Sequence, residues 1–222
     1  MTVATIPPVP FERRLLTTSW CAAGAPTPSV SQVRSTLTAF AERHAFGEMH
    51  SDYELTWIPF SLDGAVRAVM SRDRMIGLRT SGESVQASVA RTKQDTFATL
   101  IRTSDAVNPV ALDEELHAVT QTIEKLAWAT VAPDPSAIWI AFRGHIQPLA
   151  PFSIPEWLTI LHPRWYESRT TRELLLAAPG RVEERDGVIW MWTYEDPLQY
   201  DNDVAIEAMK RRALYLREHV RA

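Results

Sequence analysis

Cysteine is nearly missing from this chain. The single Cys21 excludes an intramolecular disulfide and any multi-cysteine zinc site, and a lone thiol reads as a small buried hydrophobe in a reducing compartment. Lysine is almost as scarce, with only Lys93, Lys125 and Lys210 among 23 basic residues, so arginine carries nearly all the positive charge, as it can on any solvated face. Basic excess is lacking as well: 27 acidic residues leave a formal charge of -4, which argues against a dedicated nucleic-acid binder. The eight glycines are scattered. They form no phosphate-cradling loop and no Gly-x-Ser-x-Gly elbow, and the histidines form no His-Glu-x-x-His pair, so the strong nucleotide, hydrolase and zincin signals are missing. No apolar run reaches the roughly 20 residues of a membrane span, and Pro7, Pro8 and Pro10 stand where a signal peptide would need its apolar core. These absences predict a cytoplasmic protein with no cofactor, no bound metal, no nucleic-acid partner and no membrane contact.

Apolar residues are plentiful, at 45% of the chain, ample for a sizeable core. Residues 1–10 read as a flexible tail and 11–222 as a single α+β domain. Its predicted sheet is mixed and largely antiparallel, covered by about three to four helices. The run Val188-Ile-Trp-Met-Trp-Thr-Tyr194 is apolar on both alternating faces, which predicts an interior strand. Asp186-Gly187 before it signals a hairpin with Arg181–Arg185, because a type I′ turn needs positive φ at both central residues.

Upstream, Phe11–Trp20 reads as a strand. Ser29 with Gln32 forms a capping box for a helix to about Phe46, burying Val30, Val33, Leu37, Phe40 and His44. After a polar turn at Gly47–Asp52, Tyr53–Phe60 alternates like a strand. Arg74–Thr80, Ser84–Arg91 and Phe97–Arg102 read as three strands, with a short helix at Gly64–Arg72 as the other reading of that region. Leu112–Ala129 has the stripe of an amphipathic helix, with Asp113, Glu114 and Glu115 in its first turn. Ala137–Arg143 reads as a strand beside Val188–Tyr194, and 144–152 as a loop. Ser153 and Glu156 frame a short helix over Ile154–Leu161. The last helix begins at Asp201, Asn202 or Asp203, buries Ile206, Met209, Ala213, Leu216 and Val220, and places Lys210, Arg211, Arg212, Arg217 and Arg221 toward its negative end.

Chemistry-bearing residues gather in few places. His44, Glu48, His50 and Asp52 are of types that bind zinc or manganese, but their spacing is irregular, and a half-buried His44 followed by a solvated loop is the plainer reading. Glu183, Glu184, Glu195, Asp196, Asp201 and Asp203 converge on the hairpin and the loop before the last helix. Helix capping, acid–base or metal chemistry, and an acidic surface for a basic partner are all open for them. Trp165, Tyr166 and Tyr200 lie among polar residues, as interface anchors or as caps on the core.

The last third carries a resemblance. Trp157-Leu-Thr-Ile-Leu-His-Pro-Arg164, Gly180-Arg-Val-Glu183, Gly187-Val-Ile189 and the turn Glu195-Asp-Pro197 before Asp201-Asn202 resemble bacterial immunity proteins of polymorphic-toxin systems, in particular the immunity protein fifty-two family. The resemblance implies a cytosolic non-enzyme, monomeric or homodimeric, that binds and blocks one cognate toxin, often a nuclease-like effector delivered by contact-dependent or type VI secretion. On that reading Glu183, Glu184, Glu195, Asp196, Tyr200, Asp201, Trp165 and Tyr166 are the expected partner-binding residues. A structural or assembly module of a phage or secretion apparatus, and a metal- or carboxylate-dependent enzyme, are the alternatives.

Overall fold

The computed structural model describes residues 15–23, 28–51, 56–71, 75–81, 85–103, 109–133, 156–199 and 202–221. Ten strands form one sheet: β1 (Leu15–Ala23), β2 (Phe46–Ser51), β3 (Ile58–Pro59), β4 (Met75–Thr80), β5 (Val85–Arg91), β6 (Asp95–Thr103), β7 (Leu126–Pro133), β8 (Leu158–Leu161), β9 (Arg181–Arg185) and β10 (Val188–Trp192). Their order across the sheet is β3-β2-β4-β5-β6-β1-β7-β8-β10-β9, and every pairing is antiparallel. Among the described residues there are six helices: α1 (Val30–Ala41), α2 (Leu62–Met70), α3 (Pro109–Thr122), α4 (Pro163–Tyr166), α5 (Arg172–Leu176) and α6 (Asp203–His219). The α+β domain of the sequence reading is present, its expected largely antiparallel sheet being antiparallel at every described pairing.

Alternation along the strands assigns side chains to two faces. Leu16 and Trp20 of β1, Leu100 of β6, Val89 of β5, Leu78 of β4, Ile160 of β8 and Trp190 of β10 share a buried cluster with Val33, Leu37 and Phe40 of α1, Val66 of α2 and Leu116 of α3. This first face is therefore covered by α1, α2 and α3, with Ala205 and Met209 of α6 joining the same cluster. On the opposite face Leu161, Ile189 and Met191 pack with Trp165 and Tyr166 of α4, Leu175 of α5 and Leu216 of α6. β10 is thus buried on both sides, with all five of its residues out of water, as its two apolar faces predicted.

Local chemistry explains several boundaries. Ser29 caps α1 by accepting from the Gln32 amide, yet the Gln32 side chain donates to Ala22 O at 2.8 Å instead of closing the box. α1 stops at Ala41, and the expected polar turn at Gly47–Asp52 is largely strand β2. Val30, predicted buried, is 52% exposed. The predicted strand Tyr53–Phe60 shortens, in the described part, to Ile58–Pro59. Leu62–Met70 takes the helical alternative, capped by Ser61, and three strands follow it as expected.

Two helix predictions fail for one reason. The stripe Leu112, Leu116, Val119 and Ile123 holds, but Lys125 adopts φ 59° and turns the chain into β7, so the burial of Leu126 belongs to a strand. Similarly Leu158–Leu161 is strand β8, buried at all four residues, and the helix starts only after His162 caps Pro163. A short run apolar on both faces fits a buried strand as well as a helix, and cross-strand pairing decides between them. β8 lies beside β10. Ala137–Arg143, the loop 144–152, Ser153 and the tail 1–10 lie outside the described residues.

Asp186 (φ 53°) and Gly187 (φ 78°) form the hairpin turn as read from sequence. Gly180 has φ 97°, and a Cβ there would meet Trp192 O at 2.5 Å and Arg212 Nη2 at 2.6 Å. Arg212, expected near the helix dipole, is instead buried at 1% exposure, donating to Pro179 O and to Trp192 O at 3.0 Å. Burial lowers its pKa to about 10. It ties α6 to the carbonyls that flank β9 and β10.

Two half-buried carboxyls shape the pH response. Burial pushes Glu115 up, but hydrogen bonds from His44 and from both Arg102 Nη atoms (2.9 and 2.7 Å), with the charges behind them, outweigh it and hold its pKa at about 2. Glu156 is pushed up to about 8 by burial, opposed only by a hydrogen bond with Thr130. Glu115 has a depressed folded pKa, so its contribution is complete above the ordinary value of 4.5 and is lost as pH falls toward 2. Glu156 has a raised folded pKa, so its contribution is complete below 4.5 and is lost as pH rises through 8. Urea midpoints are therefore expected to be lower on both sides of a mildly acidic optimum. Glu115→Gln should flatten the acid limb and cost about 2–3 kcal/mol near neutrality, because it leaves Arg102 buried without its carboxylate; Glu156→Gln should flatten the alkaline limb. Gly180→Ala should cost about 2–4 kcal/mol by the same measurement, against about 1 kcal/mol for Gly187→Ala, whose added Cβ meets nothing.

Candidate partner-binding surface

Among the described residues, helices α4, α5 and α6 cover the second sheet face at the β7-β8-β10-β9 end. Over β2, β4, β5 and β6 this face presents His50, Gly77, Ser88 and Thr99, which lie in one row across neighbouring strands. Glu48, Arg79, Gln86 and Ile101 form the row beside it. Gln86 is exposed and the others are half-buried. Neither apolar cluster includes any of these eight residues.

The most organised part of this surface is at the β3 edge. The Arg79 guanidinium lies 4.1 Å from the centre of the Trp57 ring and donates from Nε to Glu48 at 2.6 Å. His50 meets the same indole edge-on, with ring centres 4.4 Å apart. The imidazole lies over Gly77, where any Cβ would run into it. A glycine in mid-strand weakens the strand by itself; here it makes room for His50 to reach Trp57. The result is a cation, an indole and an imidazole brought together at the sheet edge, with Glu48 holding the guanidinium over the ring.

The sequence-predicted residues are placed otherwise. Glu183 lies between Arg181 and Arg185, and Arg185 also makes two bonds to Asp113 at 3.0 and 2.9 Å. Arg181 and Arg185 stack on Trp192 and Trp190, so Glu183 completes an arginine–tryptophan ladder that anchors edge strand β9. Burial pushes its carboxyl up, but the bonds and charges of Arg181 and Arg185 leave it below the usual carboxylate range. The hydrogen bond from Arg172 likewise lowers Glu184. Trp165 and Tyr166 are buried under α6. Glu195 is exposed and its carbonyl accepts from the Trp157 indole; Asp196 is half-buried and accepts from Gln199. Tyr200 and Asp201 lie outside the described residues, and Asn202 caps α6.

The candidate metal residues separate. His44 faces Glu115 at 3.3 Å, whereas Glu48 and His50 engage Arg79 and Trp57 on the other face, and Asp52 lies outside the described residues. Among the described residues no group of three or more His, Cys, Asp or Glu side chains is placed to hold a metal ion. Burial, with the charge of Asp95, pushes the Cys21 thiol up to about 12, which makes it a poor nucleophile.

Sequence reasoning did not find Arg79 or Gly77, since nothing local marks either one. Their significance lies in the register that sets Arg79 beside Glu48 and Gly77 beside His50.

No family model matches the chain, and no curated protein does. Among solved structures it is similar to the Pseudomonas aeruginosa T6SS protein PA0821, with a TM-score of 0.48 and 12% identity, covering 90% of this chain and 73% of that one.

Gly77→Val should drive the His50 ring off Trp57. The expected readouts are a changed Trp57 environment in near-ultraviolet circular dichroism and shifted His50 ring resonances, both reproduced in kind by His50→Ala; an unchanged spectrum would show that the imidazole is not seated as described.

Proposed function

We propose that this chain is an immunity protein that binds one cognate bacterial toxin and blocks it by stoichiometric contact, without chemistry of its own. The likeness of its last third to such proteins suggests the class. The observation that carries the reading is the Trp57–Arg79–His50 cluster on the half of the sheet that α4, α5 and α6 leave uncovered. Tryptophan and arginine dominate interface hot spots because they offer large contact area with polar ends, and a pre-ordered pair loses little conformational freedom on binding.

The platform is of workable size. Four strands about 4.8 Å apart, each about six residues long at 3.3 Å per residue, give a surface roughly 20 Å on a side. With the adjoining β3 edge, where Ile58 is 41% exposed, it can contribute much of the roughly 800 Å² per partner of a standard interface. Its charge is balanced by the Arg79–Glu48 pair. Recognition at this surface would therefore rest on shape, aromatic contact and the Ser88 and Thr99 hydroxyls more than on net charge.

Co-expression with the adjacent gene product tests this. Protection from that protein's toxicity and a one-to-one complex on gel filtration are expected. Trp57→Ala combined with Arg79→Glu should abolish both while leaving the thermal midpoint within a few degrees of wild type. Absence of both protection and complex would overturn the proposal, as would a concentration-dependent homo-oligomer in their place, which is the signature of an assembly module.

A further inference from the structure

His162 stands at the junction of β8 and α4, and its backbone and its ring both serve that junction. The amide donates to Ala127 O of β7 at 3.0 Å, and the carbonyl accepts from the Trp165 and Tyr166 amides at 2.8 and 3.3 Å. The imidazole caps the helix, Nδ1 accepting from the Arg164 amide at 3.2 Å. Helices α1, α2, α5 and α6 are capped by the side-chain oxygens of Ser29, Ser61, Thr171 and Asn202, none of which changes charge near neutral pH. The cap of α4 differs in kind, because an imidazole nitrogen accepts only while it carries no proton.

A four-residue helix has little hydrogen bonding of its own, so one cap is a large share of what holds it. Its Trp165 and Tyr166 are buried with Leu161, Leu175 and Leu216. Arg169 lies over the Trp165 ring at 4.7 Å, donates to Trp165 O at 2.8 Å, and accepts at its own carbonyl from the Arg221 amide beyond α6. A proton on Nδ1 would turn the acceptor into a donor facing the Arg164 N–H, and would set a cation at the positive end of the helix. The charges facing the ring are Arg164 and Glu167; β7 and β8 bring no ionisable side chain. Burial, then the charge of Arg164, lowers the pKa of His162 from 6.5, with Glu167 opposing. A depressed folded value means that the neutral cap contributes fully above 6.5 and is lost as pH falls through the lowered value.

We propose that His162 is a proton-sensitive catch, which holds α4 on the second sheet face while Nδ1 is bare and releases the start of α4 when Nδ1 is protonated. This device does not rest on the immunity reading. Nuclear magnetic resonance on the full chain tests it. Near neutral pH the His162 ring resonances should show Nδ1 without a proton and Nε2 with one. Between about pH 7.5 and about pH 5, amide exchange at Trp165 and Tyr166, corrected for its intrinsic pH dependence, should rise severalfold as the ring titrates. The Ala65 amide of α2, behind the Ser61 cap, should show no such rise. His162→Asn keeps a capping acceptor that does not titrate, so the variant should fold and lose the rise. A proton on Nδ1 near neutral pH, unchanged exchange across that range, or the same rise in His162→Asn would each overturn the proposal.

Discussion

The structure depends on the two-sided pairing of β1. Its nine residues run antiparallel to β6 from Leu15 opposite Thr103 to Ala23 opposite Asp95, while its other edge pairs with β7 from Leu16 opposite Pro133. Five strands of the sheet lie on one side of β1 and four on the other. A strand in that position must satisfy its backbone on both edges and bury side chains on both faces. Leu16 and Trp20 face α1, Trp20 meeting Phe40 with ring centres 4.8 Å apart, while Thr17 and Cys21 are buried on the opposite face.

Helix placement then divides the sheet unequally. Among the described residues α1, α2 and α3, with the start of α6, pack on the first face, whereas helices cover the second around β7, β8, β10 and β9. Arginine joins the parts. Arg102 links β6 to α3 through Glu115, Arg185 links β9 to α3 through Asp113, and Arg212 links α6 to the carbonyls of Pro179 and Trp192. A guanidinium suits this work because its planar fork can bond two acceptors and stack on an indole at once. Much of the arginine that gives the composition its character is thus structural. Arg79, seated over Trp57 and bonded to Glu48, belongs instead to the second face of the sheet.

Legibility in the sequence followed the range of the interactions involved. The Asp186-Gly187 turn, the Ser29 cap, the Leu112–Ile123 stripe and the two-faced burial of Val188–Trp192 depend on neighbours within a few residues, and each was readable. Leu126–Ala129, the start of β7, and Leu158–Leu161 were misread as helix because their apolar character fits either structure until pairing partners are known. The carboxylates at the hairpin looked like a free acidic surface, but Glu183 and Glu184 are engaged by arginines, two of them on their own strand and one on α5.

The sequence by itself determined the α+β class, most helix faces, the hairpin and the double burial of its inner strand, because periodicity and turn chemistry are local constraints that the chain carries wherever it folds. Tertiary structure alone decided the strand order, the seat of His50 over Gly77 beside Trp57, and the burial of Arg212 against the carbonyls of Pro179 and Trp192. Each of these depends on which distant residue arrives opposite, and that is fixed by sheet register and helix packing rather than by neighbours along the chain.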